Sequence, residues 1–178
     1  GATQVPVAIA KFKAEGMAPQ AISAIIKADL ERSGQFKMLD VPGDKLDDTS
    51  RPPLADWKTK ADALVLGSVT MLADGRYDIR FRLWDTLKGA DQGGQSLVVT
   101  AGDLRLGAHR AADFIYEKLT GEKGAFATRI AYVSKVGRHY TLNVADADGE
   151  GVQSSLTSPA SIISPAWSPS GGQLAYVS

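Results

Sequence analysis

Two segments of the chain carry apolar residues at the spacing of an amphipathic helix. The first places four aliphatic side chains at positions i, i+3, i+4 and i+8, on one face: Ile22, Ile25, Ile26 and Leu30. The second repeats this arrangement with mostly smaller side chains: Ala108, Ala111, Ala112, Ile115 and Leu119. Pro19 suits the first turn of the first helix, while Gly34 and Gly121 suit the two helix ends. We therefore predict two core helices.

The segments around these helices show the patterns of β-strands. Four are short apolar or alternating stretches bounded by turn residues: 5–12, 36–39, 63–72 and 77–84. The segment 63–72 is apolar on both faces, which is typical of a central strand. In the segment 77–84 apolar and polar residues alternate, which is typical of a strand with one solvent-exposed face. Between these two, Asp74-Gly75 predicts a hairpin turn.

Proline and glycine residues interrupt the remaining segments of this part of the chain. Residues 41–53 predict a loop, and residues 54–60 predict two helical turns with Trp57 facing inward. Residues 88–94 predict a glycine-rich loop, and a strand is predicted at 96–100. Strands, helices and hairpin in this order are typical of an α/β domain with a mixed sheet and two main helices.

Residues 121–128 form a boundary segment, and after Thr128 the pattern changes to short apolar segments separated by turn residues, with no helical periodicity. Strands are predicted at 129–134, 140–145 and 152–156. The sequence I-A-Y-V-S at Ile130 recurs as L-A-Y-V-S at Leu174, 44 residues later, which is the period of a β-propeller blade. We predict two domains: an α/β domain at 1–124, then the first blade and the start of a second blade of a truncated propeller at 125–178.

Several segments point to one family. ADADG at 145–149, SPAWSPSG at 164–171 and LAYVS at 174–178 resemble the repeat of TolB-type propellers. The junction at 118–133 and the segment from Ala28 to Asp40 are similar to the corresponding parts of the same family. The resemblance therefore covers nearly the whole chain, although Ser170 stands where the repeat usually has aspartate.

The resemblance implies a non-enzymatic, periplasmic binding or adaptor protein of the Tol–Pal envelope system. Such a protein has an α/β amino-terminal domain and a six-bladed propeller, and it serves outer-membrane integrity and invagination at cell division. The implied partners are the lipoprotein Pal and the inner-membrane protein TolA, and colicins are possible further partners. The alternative is a propeller-containing hydrolase, a peptidase whose catalytic domain lies beyond Ser178.

Two departures from the family concern the ends of the chain. The family carries a segment ahead of its first strand that engages TolA, whereas here only Gly1 to Gln4 precede the predicted strand, and we expect a processed or engineered amino terminus. The family's Pal surface lies mostly on propeller blades, of which this chain has about one. No partner-contacting residue is therefore carried over, and we expect residues 129–178 to be marginal in isolation because their edges and faces are unpaired.

Composition narrows the function further. Lys+Arg and Asp+Glu both number 20, so the zero net charge disfavours nucleic-acid binding, and no apolar run is long enough for membrane insertion. The absence of cysteine excludes disulfides and thiolate chemistry. No nucleophile elbow, P-loop or dinucleotide fingerprint occurs in the sequence. We predict no catalytic residue, no cofactor and no metal.

A few polar residues have a functional interpretation beside a structural one. Three acidic residues in a turn could bind calcium, but their register is not that of an EF-hand and a hairpin turn is favoured: Asp146, Asp148 and Glu150. A second acidic group is expected to be a solvated loop: Asp44, Asp47 and Asp48. His109 and His139 have no partner at metal-ligand spacing, so we expect lone imidazoles. Arg80 and Arg82 could bind an anion, but a solvated sheet face is favoured.

Four aromatic residues of the second part could stack on a ligand: Tyr132, Tyr140, Trp167 and Tyr176. In a propeller blade they are expected to pack between adjacent sheets instead. Pro165 and Pro169 flank Trp167 and fix its backbone, which argues against an open pocket there.

Overall fold

The structure is a computed structural model that describes residues 3–42, 45–146, 148–158, 163–167 and 174–177, with side chains described as far as Val152. The chain divides into two compact units, Gly1–Gly124 (unit 1) and Ala125–Ser178 (unit 2). No helix in the described residues is long and apolar enough to cross a membrane.

Unit 1 is built on a five-stranded mixed sheet with the order β2-β1-β3-β4-β5. The strands are β1 Val5–Ala10, β2 Phe36–Val41, β3 Ala63–Met71, β4 Tyr77–Asp85 and β5 Ala90–Val99. β1 lies between β2 and β3 and is parallel to both, whereas β3, β4 and β5 form an antiparallel meander. The predicted mixed sheet is confirmed, and β3 is its central strand as predicted.

The helices of unit 1 are α1 Ile22–Arg32, the single turn α2 Leu54–Trp57, and α3 Leu104–Thr120. α1 and α3 pack on each other and on one face of the sheet. Their apolar faces supply much of the core: Ile22, Ile26, Leu30, Leu104, Ala108, Ala111, Ala112 and Ile115. A fully buried aliphatic side chain of this size stabilises a fold by about 1.5–3 kcal/mol, so the two predicted helices anchor the domain.

The opposite face of the sheet is covered by the segment between β2 and β3. A second apolar cluster forms there from sheet residues and Ala61: Ala8, Ala10, Ala61, Leu64, Leu66 and Trp84. The prediction of one wet face on β4 is therefore only half right, because Trp84 is 8% exposed and Asp78 is 7% exposed. Trp57 packs against this cluster, but α2 has one turn and not the predicted two.

Two local predictions in unit 1 are wrong. α1 begins at Ile22, so Pro19 lies before the helix and not in its first turn. Of the glycine-rich segment predicted as a loop, residues 88–89 lie in the turn before β5, but residues 90–94 form the first half of β5, where a bulge separates the pairs Arg82–Gly94 and Trp84–Asp91. A Cβ on Gly94 would lie 2.0 Å from the Phe81 carbonyl oxygen, so glycine is required by close strand approach at this position.

Unit 2 consists of β-strands. β6 Arg129–Val136, β7 His139–Asp146 and β8 Gln153–Ser158 form an antiparallel sheet, and β9 Ile163–Trp167 pairs antiparallel with β10 Leu174–Val177. Both copies of the repeated motif are strands, β6 and β10, as the 44-residue spacing indicates. The sequence pattern does not predict β9, because Pro165 lies within it.

Candidate binding surfaces

A groove of about 470 Å³ lies at the carboxyl ends of the parallel strands β1 and β2, beside the amino terminus of α1. Ligands of open α/β sheets commonly bind at such an edge. Its walls are formed by the strand ends, the loop after β1 and the first turns of α1: Ile9, Lys11, Glu15, Ala21, Ser23, Ala24, Lys27, Asp40 and Val41. The groove is therefore a candidate ligand site of unit 1.

The helix end in this groove is already occupied by a side chain of the protein. Glu15 is 3% exposed, and its Oε2 accepts the Ser23 backbone N–H at 3.0 Å while its Oε1 accepts the Ser23 hydroxyl at 2.7 Å. The left-handed backbone of Ala14, with φ +63°, directs the chain into this turn. The carboxylate satisfies donors at the positive end of α1, so it caps the helix from the preceding loop.

We expect Glu15→Ala to lower the free energy of unfolding of unit 1 by about 2 kcal/mol, since a helix cap is lost and buried donors lose their acceptor. Glu15→Gln keeps one acceptor oxygen and should lose less. Urea denaturation followed by the helical circular-dichroism signal measures both. Glu122→Ala, at an exposed glutamate, is the control, and an equal loss in that variant would contradict the capping role.

One of the two lysines on the groove wall, Lys27, is also paired. Lys27 Nζ donates to Asp40 Oδ2 at 3.0 Å and lies 4.0 Å from Glu31 Oε1. The hydrogen bond to Asp40 is the main reason why the pKa of Lys27 is raised above its ordinary value. Ser23, the hydroxyl in the groove, donates to a capping carboxylate and not to an imidazole base. The groove therefore offers shape and polar contacts, and its described side chains do not form a nucleophile–base pair.

A buried ionisable pair joins α1 to α3. Asp29 is 0% exposed and His109 is 1% exposed, and Asp29 Oδ2 lies 2.5 Å from His109 Nδ1. Arg32 also donates to Asp29 Oδ1. The expectation of a lone imidazole at His109 is thus wrong. A signal was present, because Asp29 stands seven residues after Ile22 and three after Ile26, on the apolar face where an acid needs a partner.

The acidic loop between β2 and α2 is tied down and not simply solvated, which corrects the expectation for Asp47 and Asp48. Asp47 accepts hydrogen bonds from the hydroxyl and backbone N–H of Thr49, and its Oδ2 lies 3.6 Å from Lys13 Nζ. Asp48 accepts the Ser68 hydroxyl at 2.6 Å, which attaches the loop to β3. Asp44 lies outside the described residues.

This loop should be sensitive to acid. The Thr49 hydroxyl is the main cause that holds the pKa of Asp47 below its ordinary value. The folded state therefore favours the ionised form, and its stabilising contribution is present above the unfolded pKa of about 3.9 and is lost as the pH falls through the folded value.

We expect Asp47→Asn to cost about 1–2 kcal/mol near neutral pH and to reduce the further loss of stability on acidification. Urea denaturation of both proteins near neutral pH and below the ordinary pKa of aspartate measures this difference. Asp56→Asn, at an exposed aspartate of α2, is the matched control. Parallel acid dependence in the wild type and Asp47→Asn would refute the assignment.

The two arginines on β4 are each matched by an acid of the same meander. Arg80 Nε donates to Asp78 Oδ2 at 2.8 Å, and Arg82 Nη1 donates to Asp91 Oδ2 at 2.7 Å. The hydrogen bond from Arg82 is the main cause that lowers the pKa of Asp91. Arg80 and Arg82 are therefore neither bare anion sites nor a merely solvated face. They belong to a charge-balanced surface.

In unit 2 the acidic turn is organised by its own backbone. Asp146 N–H donates to the Glu150 carbonyl at 3.0 Å, Gly149 N–H donates to the Asp146 carbonyl at 2.9 Å, and Glu150 N–H donates to Asp148 Oδ1 at 2.9 Å. These bonds are those of a tight hairpin turn, which the sequence favoured over a calcium loop. Asp146 also lies 4.0 Å from Arg129 Nε.

The aromatic residues of unit 2 are less buried than expected. Tyr132 is 42% exposed, so the described structure does not pack it between sheets. Tyr140 is half-buried beneath Lys135, whose Nζ lies 5.5 Å from the ring centroid. The side chains of Trp167 and Tyr176 lie outside the described residues, and His139 is exposed in the β6–β7 hairpin.

The chain has a mixed α/β domain followed by repeated antiparallel strands, and its prominent surface features are a groove and charged patches. It is therefore a modular protein of the α/β-plus-propeller class. Residues 1–92 match the family of the TolB amino-terminal domain, and residues 116–178 match the TolB beta propeller domain. The chain belongs to the TolB family.

Relatives and a solved structure agree with this membership. "Tol-Pal system protein TolB" of Polaromonas naphthalenivorans is 63% identical over 179 aligned positions, and the namesake of Aromatoleum aromaticum is 54% identical. Both alignments cover 100% of this chain and 42% of the relative, so the chain spans less than half the length of these relatives. The crystal structure of TolB from Acinetobacter baumannii matches with a TM-score of 0.74 and 32% identity, covering 99% of this chain and 44% of that one.

Proposed function

We propose that the protein is a non-enzymatic, periplasmic binding or adaptor protein of the Tol–Pal envelope system. The observation that carries the proposal is the match of both TolB domain families, in order, along one chain whose relatives bear the name Tol-Pal system protein TolB. Its role would be to support outer-membrane integrity and invagination at cell division through protein–protein contacts. These relatives favour the adaptor over the hydrolase.

We assign residues 1–124 as the TolB-like amino-terminal domain and residues 125–178 as the first blade and the start of the second. The partners in this proposal are TolA on the inner-membrane side and the lipoprotein Pal, with colicins as possible further ligands. The division of the chain into two compact units after Gly124 supports separate binding surfaces. If both partners bind one protein, each can alter the affinity of the other by a coupling free energy.

The physical character of unit 1 supports recognition rather than catalysis. Its buried acids serve structural contacts: Glu15 caps α1, and Asp29 joins α1 to α3. The arginines of β4 are paired with acids of neighbouring strand positions. Side chains committed in this way shape a surface, and both carboxylates of the groove, Glu15 and Asp40, are engaged by other groups of the protein.

A pull-down with purified Pal and purified TolA tests the proposal. It should be carried out both with this chain and with the protein at the full length of its relatives. We expect the longer form to capture Pal and TolA, and the difference between the two forms to show which part each partner needs. Capture of neither partner by the longer form would refute the proposed function.

A further inference from the structure

The charged residues of unit 2 are separated along its sheet. All acidic residues between 125 and 178 lie at the end of β7 or in the turn after it: Asp146, Asp148 and Glu150. At the opposite end of β7, the hairpin from Lys135 to His139 carries two of the three basic residues of this unit together with an imidazole. The third, Arg129, lies beside Asp146 at the acidic end. At a strand rise of about 3.3 Å per residue, the ends of β7 are roughly 23 Å apart, beyond the reach of strong screened attraction.

The basic hairpin has a tight turn, and all its residues are exposed. Val136 pairs with His139 across a two-residue loop of Gly137 and Arg138, and Gly137 has φ +61°. Glycine at the first central position fits the type II′ turn that matches strand twist. All five residues from 135 to 139 are exposed, and Val136 is 76% exposed. The hairpin thus presents two cations and one apolar side chain at the exposed end of the β6–β7 pair.

The cations of the hairpin are not neutralised within the described structure. Lys135, Arg138 and His139 have no ion-pair partner among the described residues, and residues 153–178 contain no charged side chain at all. Lys135 is held above the ring of Tyr140 at 5.5 Å, a contact that orients the ammonium group without cancelling its charge. In contrast, Arg80 and Arg82 of unit 1 each face an acid.

We propose that the hairpin 135–139 is a docking site for an acidic segment of a protein partner, with Lys135 and Arg138 facing carboxylates and Val136 adding an apolar contact at the exposed end of the hairpin. The proposal rests on the proposed function, because it names the chemistry of one surface of an adaptor. Charge complementarity of this kind accelerates association and selects partners, and its effect weakens as salt is added.

A protein partner fits the hairpin better than an anionic membrane does. Electrostatic anchoring to a lipid surface takes clusters of about 4–8 Lys/Arg residues, whereas this hairpin offers two. The zero net charge of the chain adds no further attraction to anionic lipid. A footprint of five residues with one apolar side chain and two cations matches a short acidic peptide segment in size.

The experiment measures the affinity of purified Pal for the protein at the full length of its relatives, by calorimetry at low and at high salt. The test variant is Lys135→Glu/Arg138→Glu. The control is Lys88→Glu/Lys123→Glu, which makes the same change of charge at two exposed lysines of unit 1. We expect the test variant to weaken binding about tenfold or more at low salt, the control to bind as the wild type does, and the salt dependence to diminish in the test variant.

Val136→Ser keeps the charges and should weaken binding a few-fold, which separates the contact from a folding defect because the hairpin backbone is unchanged. Wild-type binding that is unaffected by charge reversal would overturn the docking site and leave the proposed function standing. Absence of any Pal binding by the wild type would overturn the docking site, and absence of TolA binding as well would refute the proposed function. Capture on phosphatidylserine vesicles that is lost on charge reversal, with Pal binding unchanged, would overturn the proposal in favour of a membrane.

Discussion

Replacing His109 with alanine is expected to lower the free energy of unfolding of unit 1 by about 3–5 kcal/mol. The pair with Asp29 is almost fully buried between α1 and α3, so removal of the imidazole takes one partner from a carboxylate that lies in a medium that solvates charge poorly, and Arg32 still donates to it. The substitution also leaves a cavity in the helix interface. Urea denaturation followed by the helical circular-dichroism signal measures the loss, because the helices in the described residues belong to unit 1.

His139→Ala is the matched control for this prediction. It makes the same substitution at an exposed histidine in unit 2 and should change stability by no more than about 0.5 kcal/mol. Asp29→Asn, which retains an acceptor of similar shape, should cost less than His109→Ala. If His109→Ala were as mild as His139→Ala, the pair would not hold the helices together.

The second large effect is expected at Gly94. Gly94→Ala should destabilise the β4–β5 pairing and cost about 3 kcal/mol, since its Cβ would meet the Phe81 carbonyl oxygen at 2.0 Å. A backbone oxygen in a strand cannot rotate away as a flexible side chain can, so the bulge itself must deform. Hydrogen exchange of the β5 amides and urea denaturation both report this change.

Gly16→Ala controls for the loss of a glycine. A Cβ at Gly16 would meet no atom within 4 Å, and the backbone there does not have a positive φ. Its effect should be near zero or slightly stabilising, because alanine restricts the unfolded chain. Equal stability of Gly94→Ala and Gly16→Ala would show that β4 and β5 are farther apart at the bulge than they are in the structure.

The elements that the sequence predicts best are those whose apolar period spans several turns. The faces through Ile22 and Leu30 and through Ala108 and Ile115 predict helices that the structure confirms, because burial of one stripe against a sheet leaves few alternatives. The sequence predicts the central strand equally well, because Ala63–Met71 is apolar on both faces and the protein covers both of these faces.

The errors have specific physical causes. Glycines within β5 signal a loop in the sequence, but the bulge needs them for close approach to β4, so local preference and tertiary pairing point to different structures. The start of α1 was misplaced because its cap comes from Glu15, seven residues before the helix, and sequence rules look for the cap beside the first turn. A contact between residues that are far apart in the chain gives only a weak signal in a single sequence.

The candidate surfaces were predicted less well than the fold. The sequence separated the acidic turn of unit 2 from a calcium loop, and backbone hydrogen bonds confirm a turn there. It could not reveal that Asp48 anchors a loop through Ser68 or that Asp29 pairs with His109, since these contacts cross 20 and 80 positions of the chain. The family, in contrast, is recognisable from short motifs of consecutive residues, which do not depend on contacts between distant positions.

One measurement addresses the claim that the protein acts by docking and not by chemistry. Calorimetric titration of purified Pal into the protein, at the full length of its relatives, should give saturable binding with whole-number stoichiometry. The same preparation should leave peptide, ester and phosphate substrates intact. Absence of binding, together with turnover of such a substrate at a rate that one point substitution abolishes, would contradict the account.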